Sequence, residues 1–411
     1  MPHQKHHEIS NSKFRFSWYT DEKEDFMNFI QRTELFTRIK DAFHVNRIVC
    51  LLGPRQCGKT TLARALWEES GKTRQDPGYF DCERPSDLQA LANPDLVLPH
   101  IDGLIVIDEI QRRPDLFPYL RYLHDEHQGQ QFLILGSASK ELIHQSSETL
   151  AGRISFIEVT PFSLNETHDV QNLWLKGGFP KSYMLSNEHS LLWREGYMQT
   201  YVEQDLAMLG FGFDAHVLQK LWFMLAHYHG QIMNYSELAT SLNVSQPTIK
   251  KYISYLAGSF MLRILKPWYE NLQKRQVKSP KVYCRDSGLL HYVFGIHQYP
   301  DIFKHPKAGA SFEGFALEEV IRHHQATPES CYFWASHNQA ELDLLILKHG
   351  KKLGFEFKMS DAPKITTSMR VAIEDLKLDT LTVIYPGNRA YQLAENIDVV
   401  PLESYISSKT P

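Results

Sequence analysis

The chain has 411 residues, of which 43% are hydrophobic and 22% charged, and a formal net charge of −4. This is the composition of an ordinary soluble globular protein with room for two or three domains. It excludes a global positive field that would draw nucleic acid unaided, and the apolar runs, such as 103–107 and 132–135, are far too short to span a bilayer.

Residues 1–30 read as a polar, His-rich extension without an apolar signal core. Residues 34–43 have helical spacing. The aliphatic run 47–52 predicts a buried strand, and 59–69 a helix directly after it. Further strands are expected at 79–82, 104–107 and 132–135, with helices between them. Strands and helices alternating at this pitch predict an α/β fold, a parallel sheet with helices on both faces. The pattern fades after Thr160-Pro161-Phe162. Residues from about 165 to 260 look helical, and a third texture begins near Phe312. The five cysteines (Cys50, Cys57, Cys82, Cys284, Cys331) are scattered with no CxxC spacing. That set suits neither a disulfide framework nor a zinc site, and it predicts a cytoplasmic location.

Gly53-Pro54-Arg55-Gln56-Cys57-Gly58-Lys59-Thr60 matches the phosphate-loop pattern G-x-x-x-x-G-K-S/T without a mismatch. It sits between an apolar strand and a helix, as the motif requires. The glycines let the backbone wrap the phosphates, and the amides at the helix start, up to Thr61, face the anion. Lys59 is expected to reach the β- and γ-phosphates of ATP, and Thr60 to hold Mg²⁺ through its hydroxyl. The run Leu104–Ile107 then ends in Asp108-Glu109. A buried strand delivers such carboxylates to the edge where ligands bind in open α/β sheets. Asp108 is assigned to the Mg²⁺ shell and Glu109 to orienting and polarising the attacking water. The next strand ends in Gly136-Ser137-Ala138-Ser139. Ser137, with Ser139 second, either touches the γ-phosphate or simply caps a turn. Arg153 either reaches a neighbouring subunit's nucleotide or makes an ordinary ion pair.

These residues resemble a known family. The stretches are 53–62 (Gly-Pro-Arg-Gln-Cys-Gly-Lys-Thr-Thr-Leu), 107–111 (Ile-Asp-Glu-Ile-Gln), 135–139, 150–153 (Leu-Ala-Gly-Arg), 161–163, 177–180 (Gly-Gly-Phe-Pro) and 201–206. Together they look like the prokaryotic AAA-type ATPases that carry a C-terminal domain of unknown function. The resemblance implies an ATPase domain (31–210) after the extension (1–30), a winged-helix region (211–304) and a nuclease-like C-terminal domain (305–411). Cys57 departs from the family pattern, in which an aliphatic or small residue is usual, and a thiol there predicts an oxidation-sensitive loop.

The region from Tyr235 reads as a helix capped by Ser236, a turn at Asn243–Ser245, and a second helix from Gln246 with apolar Ile249, Ile253 and Leu256. Segments 262–268 and 281–284 read as a wing hairpin. Arg263, Lys266, Lys274, Arg275, Lys278, Lys281 and Arg285 face one acid, Glu270, a local balance of 7 − 1 = +6. Such a wing suits DNA phosphates, although winged helices in ATPases also serve as protein contacts or nucleotide lids. In the C-terminal region, 341–347 and 352–358 read as strands. Glu356 and Lys358 share a face by the two-residue period, and pairing of the strands would bring Asp343 beside them. With Glu313 this resembles the PD-(D/E)XK nuclease fold, in which Asp343 and Glu356 hold Mg²⁺ and Lys358 steadies a water or phosphate oxygen. An E-x-K strand is also often a solvated face. The expected partners are ATP and DNA, without a membrane, and the chain is a candidate homo-oligomer.

Overall fold

A computed structural model describes residues 30–73, 75–137, 150–201, 214–269, 278–336 and 340–408. Ser139, Lys274, Arg275, nearly all of the 201–206 motif and nearly all of the N-terminal extension lie outside these. Residues Arg32–Pro411 form one unit, and Met1–Gln31 are assigned to another.

The aliphatic run Ile48–Leu52 forms β1, buried along its whole length. It lies in a five-stranded sheet with β2 (Tyr79–Asp81), β3 (Gly103–Asp108), β4 (Gln130–Gly136) and β5 (Ile154–Glu158), in the order β2-β3-β4-β1-β5. Every pairing is parallel. The strands are apolar on both faces because both faces are covered. Val49, Leu51, Val106, Leu133 and Leu135 pack on the helices Thr33–Val45 and Lys59–Glu69 through Leu35, Ile39, Leu62 and Leu66. Their neighbours Cys50, Ile105, Ile107, Phe132 and Ile134 face the helix Leu116–Glu126 through Phe117, Leu120 and Leu123. Each such fully buried side chain contributes about 1.5–3 kcal/mol. The strand order places the C-terminal tips of β1, β4 and β3 side by side, the arrangement in which open sheets bind ligands. The edge strand β5 went unread in the sequence because its polar Ser155 and partly exposed flanks blur the apolar run.

The helices Tyr235–Leu242 and Gln246–Gly258 form the expected helix-turn-helix pair. Asn243 takes a left-handed φ of 52° at the turn. The first cap differs from expectation. Asn234, whose side chain accepts from Glu237 N, occupies it. The extended backbone of Asn234 aims its carbonyl at the first free amides, while Ser236 already lies inside the helix. Ser245 caps the second helix, and Ile249, Ile253 and Leu256 enter the core with Leu218, Trp222 and Leu225 of Ala215–His227.

The wing hairpin exists as β7 (Leu262–Pro267) and β8 (Lys281–Cys284), flanked by the short β6 (Gln231–Ile232). It does not end there. β9 (Cys331–Ala335) adds parallel to β7, and β10 (Glu341–Lys348), β11 (Lys351–Phe357), β12 (Thr380–Tyr385), β13 (Tyr391–Ala394) and β14 (Ile397–Pro401) continue one nine-stranded sheet. Its order is β13-β14-β12-β11-β10-β9-β7-β8-β6. The two regions expected to be separate, 211–304 and 305–411, therefore share a sheet across the border expected near residue 304. The helix that starts the last region begins at Ala308, four residues before Phe312, and runs to His323.

Candidate functional site

The loop after β1 needs its glycines for different reasons. A Cβ on Gly53 would stand 2.0 Å from the Val159 carbonyl oxygen, and Gly58 has a φ of 100°. Gln56 adopts a left-handed φ of 62°, a strain typical of functional loops. Lys59 is buried and its Nζ donates to the carbonyls of Gly53 (2.9 Å) and Pro54 (2.8 Å), so it stands over the loop it closes. Thr60 and the exposed Thr61 open the helix. Beneath the loop, buried Arg32 donates to Cys57 O (3.1 Å) and Thr160 O (2.8 Å) and pairs with Glu166 at 2.6 Å. Cys57 is fully buried and its thiol donates to Val159 O at 3.2 Å. The expected oxidation sensitivity is therefore corrected, because the sulfur is shielded from solvent oxidants. At the rim Glu83 joins two arginines, Arg55 (3.4 Å) and Arg112 (2.9 Å).

Asp108 ends β3 beside the loop. Thr60 Oγ1 donates to its Oδ2 at 2.8 Å. Burial pushes the Asp108 carboxyl up to about 6, opposed by the Thr60 hydrogen bond and aided by the Glu109 charge. A buried carboxylate beside a hydroxyl, destabilised in its charged form, is a pair that a cation would relieve. These residues therefore fit Mg²⁺. Glu109 takes a left-handed φ of 55°, which turns its side chain toward β4. There Ser137 Oγ donates to Glu109 Oε2 at 3.4 Å, and Gln111 Nε2 donates both to that oxygen and to Ser137 Oγ (2.9 Å). Gln111 was given no role in the sequence. Its only signal was its place two residues past Glu109.

Arg153 lies just before β5, whose C-terminal end runs toward the loop, so it sits at the opposite edge of the sheet. It pairs bidentately with Asp125 at 2.8 and 3.2 Å. This is the ordinary ion pair, and the position cannot serve the same chain's phosphate loop.

In the C-terminal region β10 and β11 are antiparallel neighbours, with Leu344 opposite Phe355. One step along, Asp343 and Glu356 come together on one face. A register shift in the β9–β10 pairing between Leu342 and Leu345 re-aims Asp343, the usual effect of a bulge. Glu313, Asp343, Glu356 and Lys358 do converge. Lys358 Nζ contacts Glu356 and lies 3.7 Å from Asp343 Oδ2, which also accepts from Phe357 N at 2.9 Å. Glu356 is 2% exposed and, among the described residues, its Oε1 has no hydrogen-bond partner. A second ammonium enters from β8. Lys281 contacts Glu341 and lies 3.6 Å from Glu313 Oε1 and 3.9 Å from Asp343 Oδ1. Burial and the Asp343 charge push the Glu313 and Glu356 carboxyls up. Burial pulls Lys281 down, but the Glu313, Asp343 and Glu341 carboxylates outweigh it and hold it well above the usual lysine value. Among the described residues no group of three His, Cys, Asp or Glu side chains is arranged to hold a metal ion. The expected Mg²⁺ set does not fit as arranged, because its carboxylates already face two lysines.

The wing charge is also smaller than the sequence count. Arg263 and Arg285 both bind Glu318, Arg285 also binds Glu158, and Lys281 is internal. Of the described basic residues in this stretch, Lys266 and Lys278 remain exposed. On the second helix, Ser245, Gln246, Lys250 and Lys251 are exposed and Thr248 half-buried.

Residues 45–168 match the family model of an AAA domain, 167–300 that of a domain of unknown function (DUF8612) and 308–405 that of a second one (DUF4143). The uncharacterized proteins Mb2031c of Mycobacterium bovis and Rv2008c of Mycobacterium tuberculosis are each 41% identical over 99% of this chain and 90% of their own. Among solved structures, the Walker-type ATPase PABY2304 of Pyrococcus abyssi aligns at a TM-score of 0.46 and 14% identity, over 65% of this chain and 96% of that one. The RuvB Holliday junction branch migration motor of Thermotoga maritima aligns at 0.30 and 20% identity, over 57% and 89%. No helix among the described residues is long and apolar enough to cross a membrane.

Proposed function

The chain belongs, with the two mycobacterial proteins, to the AAA-type ATP-binding ATPases that carry a C-terminal DUF4143 domain, and from that premise we propose that it couples Mg²⁺-dependent ATP hydrolysis to a DNA-directed C-terminal module. The observation that carries the hydrolytic part is the joint arrangement at three strand tips: Thr60 on Asp108, and Gln111 and Ser137 on Glu109. The loop amides and Lys59 bind the phosphates. Thr60 and Asp108 would hold Mg²⁺, which when bound would neutralise charge on the nucleotide phosphates. Glu109, held by Gln111, orients the attacking water and accepts its proton. Arg153, paired with Asp125 away from this chain's phosphate loop, would reach only a neighbouring copy's nucleotide.

The coupling part rests on an ion-pair chain that is buried at Glu318 and partly exposed at Glu158. Glu158 at the end of β5 binds Arg285, Arg285 and Arg263 bind Glu318, and Glu318 lies on the helix that carries Glu313. Residues Val159 and Thr160, directly after Glu158, hold Cys57 and Arg32 under the phosphate loop. The DNA part rests on the helix-turn-helix pair and on exposed Lys250, Lys251, Lys266 and Lys278. The described cysteines are free and buried, in keeping with a cytoplasmic protein. The test is steady-state ATP turnover with and without duplex and single-stranded DNA. Stimulation by DNA supports the reading, and turnover indifferent to every DNA form removes its DNA-directed half.

A second reading is favoured by Lys281. With an ammonium already among the carboxylates, the C-terminal region binds its partner without cutting it, and ATP acts as the switch.

A further inference from the structure

Lys281 belongs by sequence to the basic wing, yet its side chain is only 4% exposed. Its backbone cannot swing out. The residue pairs with Leu265 of β7 on one side and with Ile232 of β6 on the other. The side chain crosses the Phe333 ring, with Nζ 5.6 Å from the centroid, and ends among Glu313, Glu341 and Asp343. Tyr283 lies two residues along β8, hence on the same face, and donates its hydroxyl to Glu313 Oε1 at 2.7 Å. One strand thus brings both a cation and a hydrogen-bond donor to carboxylates carried by a helix and by β10.

Asp343 is the centre of the cluster, and an ammonium group lies within 4 Å of each of its oxygens. Oδ1 faces Lys281, while Oδ2 faces Lys358 and accepts from Phe357 N. Glu356 Oε1, a buried oxygen without a hydrogen-bond partner among the described residues, is a single ligand, and Mg²⁺ demands near-octahedral oxygen at about 2.1 Å. A buried ammonium is retained only where carboxylates compensate its lost hydration. Here the compensation is mutual.

We propose that Lys281 is the resident cation of this carboxylate cluster, a tethered ammonium that takes the place of a divalent ion and closes the site to Mg²⁺ and Mn²⁺. The inference does not depend on the ATPase reading. It concerns the nuclease-like site alone, and it assigns the closure of that site to divalent ions to one side chain.

The experiment is a Mn²⁺ titration of the nucleotide-free full chain, followed by calorimetry. Wild type should show no Mn²⁺ site that depends on Asp343, the same as Asp343→Asn. Lys281→Met should gain one site, about tenfold or more tighter than anything at that position in wild type, and the double variant Lys281→Met/Asp343→Asn should lose it. Lys281→Arg, which keeps the charge, should stay metal-free. If Lys281→Met does not fold by circular dichroism, Lys281→Gln carries the same expectation. An Asp343-dependent site already present in wild type overturns the proposal. So does the lack of any gain in a folded Lys281→Met or Lys281→Gln chain. ATP turnover, measured separately, should be unchanged in the folded Lys281 variant, so a failure of the ATPase reading leaves the metal result intact.

Discussion

Glu109 is held in a left-handed backbone conformation, with its carboxylate gripped by Gln111 and Ser137. A residue held so acts through its orientation, which makes Gln111 a positioning residue for water activation. Gln111→Ala should therefore lower kcat for ATP by about tenfold or more while leaving KM nearly unchanged, and Gln111→Glu should not rescue it, because it sets a second charge beside Glu109. Equal kcat in Gln111→Ala and wild type would remove Gln111 from the site. At this scale the phosphate loop, Asp108 and Glu109 were legible because the chemistry needs those residue types at fixed chain spacing. Gln111 was legible only as part of a motif. Lys281 was misread for a physical reason. A run of basic residues gives net charge, but not which of them an opposite charge from a distant segment will bury.

Among the elements, Arg285 joins the ATPase sheet to the helix Ala308–His323 through Glu158 and Glu318. Burial pushes the Glu318 carboxyl up, but Arg263 and Arg285 outweigh it and hold it down at about 2. Glu318→Ala would leave two buried guanidinium groups poorly compensated and should cost about 3–5 kcal/mol in urea unfolding. A loss under about 1 kcal/mol would mean that the network is solvated in solution. For the hairpin, neutralising Lys274, Arg275 and Lys278 together should flatten the salt dependence of DNA affinity, by close to one unit of log–log slope for each lost phosphate contact. An unchanged slope would place DNA elsewhere or nowhere. The helix-turn-helix pair was readable because Ile249, Ile253 and Leu256 follow the local helical period. The pairing of β7 with β9 was not readable, because it joins residues such as Pro267 and Phe333 that no local pattern connects.

Over the whole molecule, burial sets a pH dependence. His229 and His291 are fully buried, and burial holds them at about 4 and about 3 against an ordinary value of 6.5. Both stay neutral in the folded chain while the unfolded chain protonates. Their contribution is complete above pH 6.5 and is lost as pH falls toward those folded values, by something of order 3 kcal/mol per histidine at pH 4. Glu313 and Glu356, pushed up, act in the opposite sense. They favour the folded chain below their ordinary value and lose that contribution as pH rises through their raised ones. Between pH 4.5 and 6.5 the two pairs oppose each other, so the histidine contribution shows as a difference from wild type: His291→Gln should lose less of its urea midpoint than wild type as pH falls from 6.5 to 4. The same change in midpoint for His291→Gln and wild type over that range would contradict a buried neutral His291.

The hydrolytic site is most directly tested by one pair of measurements on Glu109→Gln, nucleotide affinity and single-turnover hydrolysis. The substitution keeps the shape of the side chain and its contact with Ser137 but removes the charge that accepts the proton of water. The predicted result is ATP affinity equal to wild type, with turnover lowered by about 100-fold or more. Hydrolysis at the wild-type rate, with ATP bound as tightly, would contradict the assignment of Glu109 and with it the catalytic site at the tips of β1, β3 and β4.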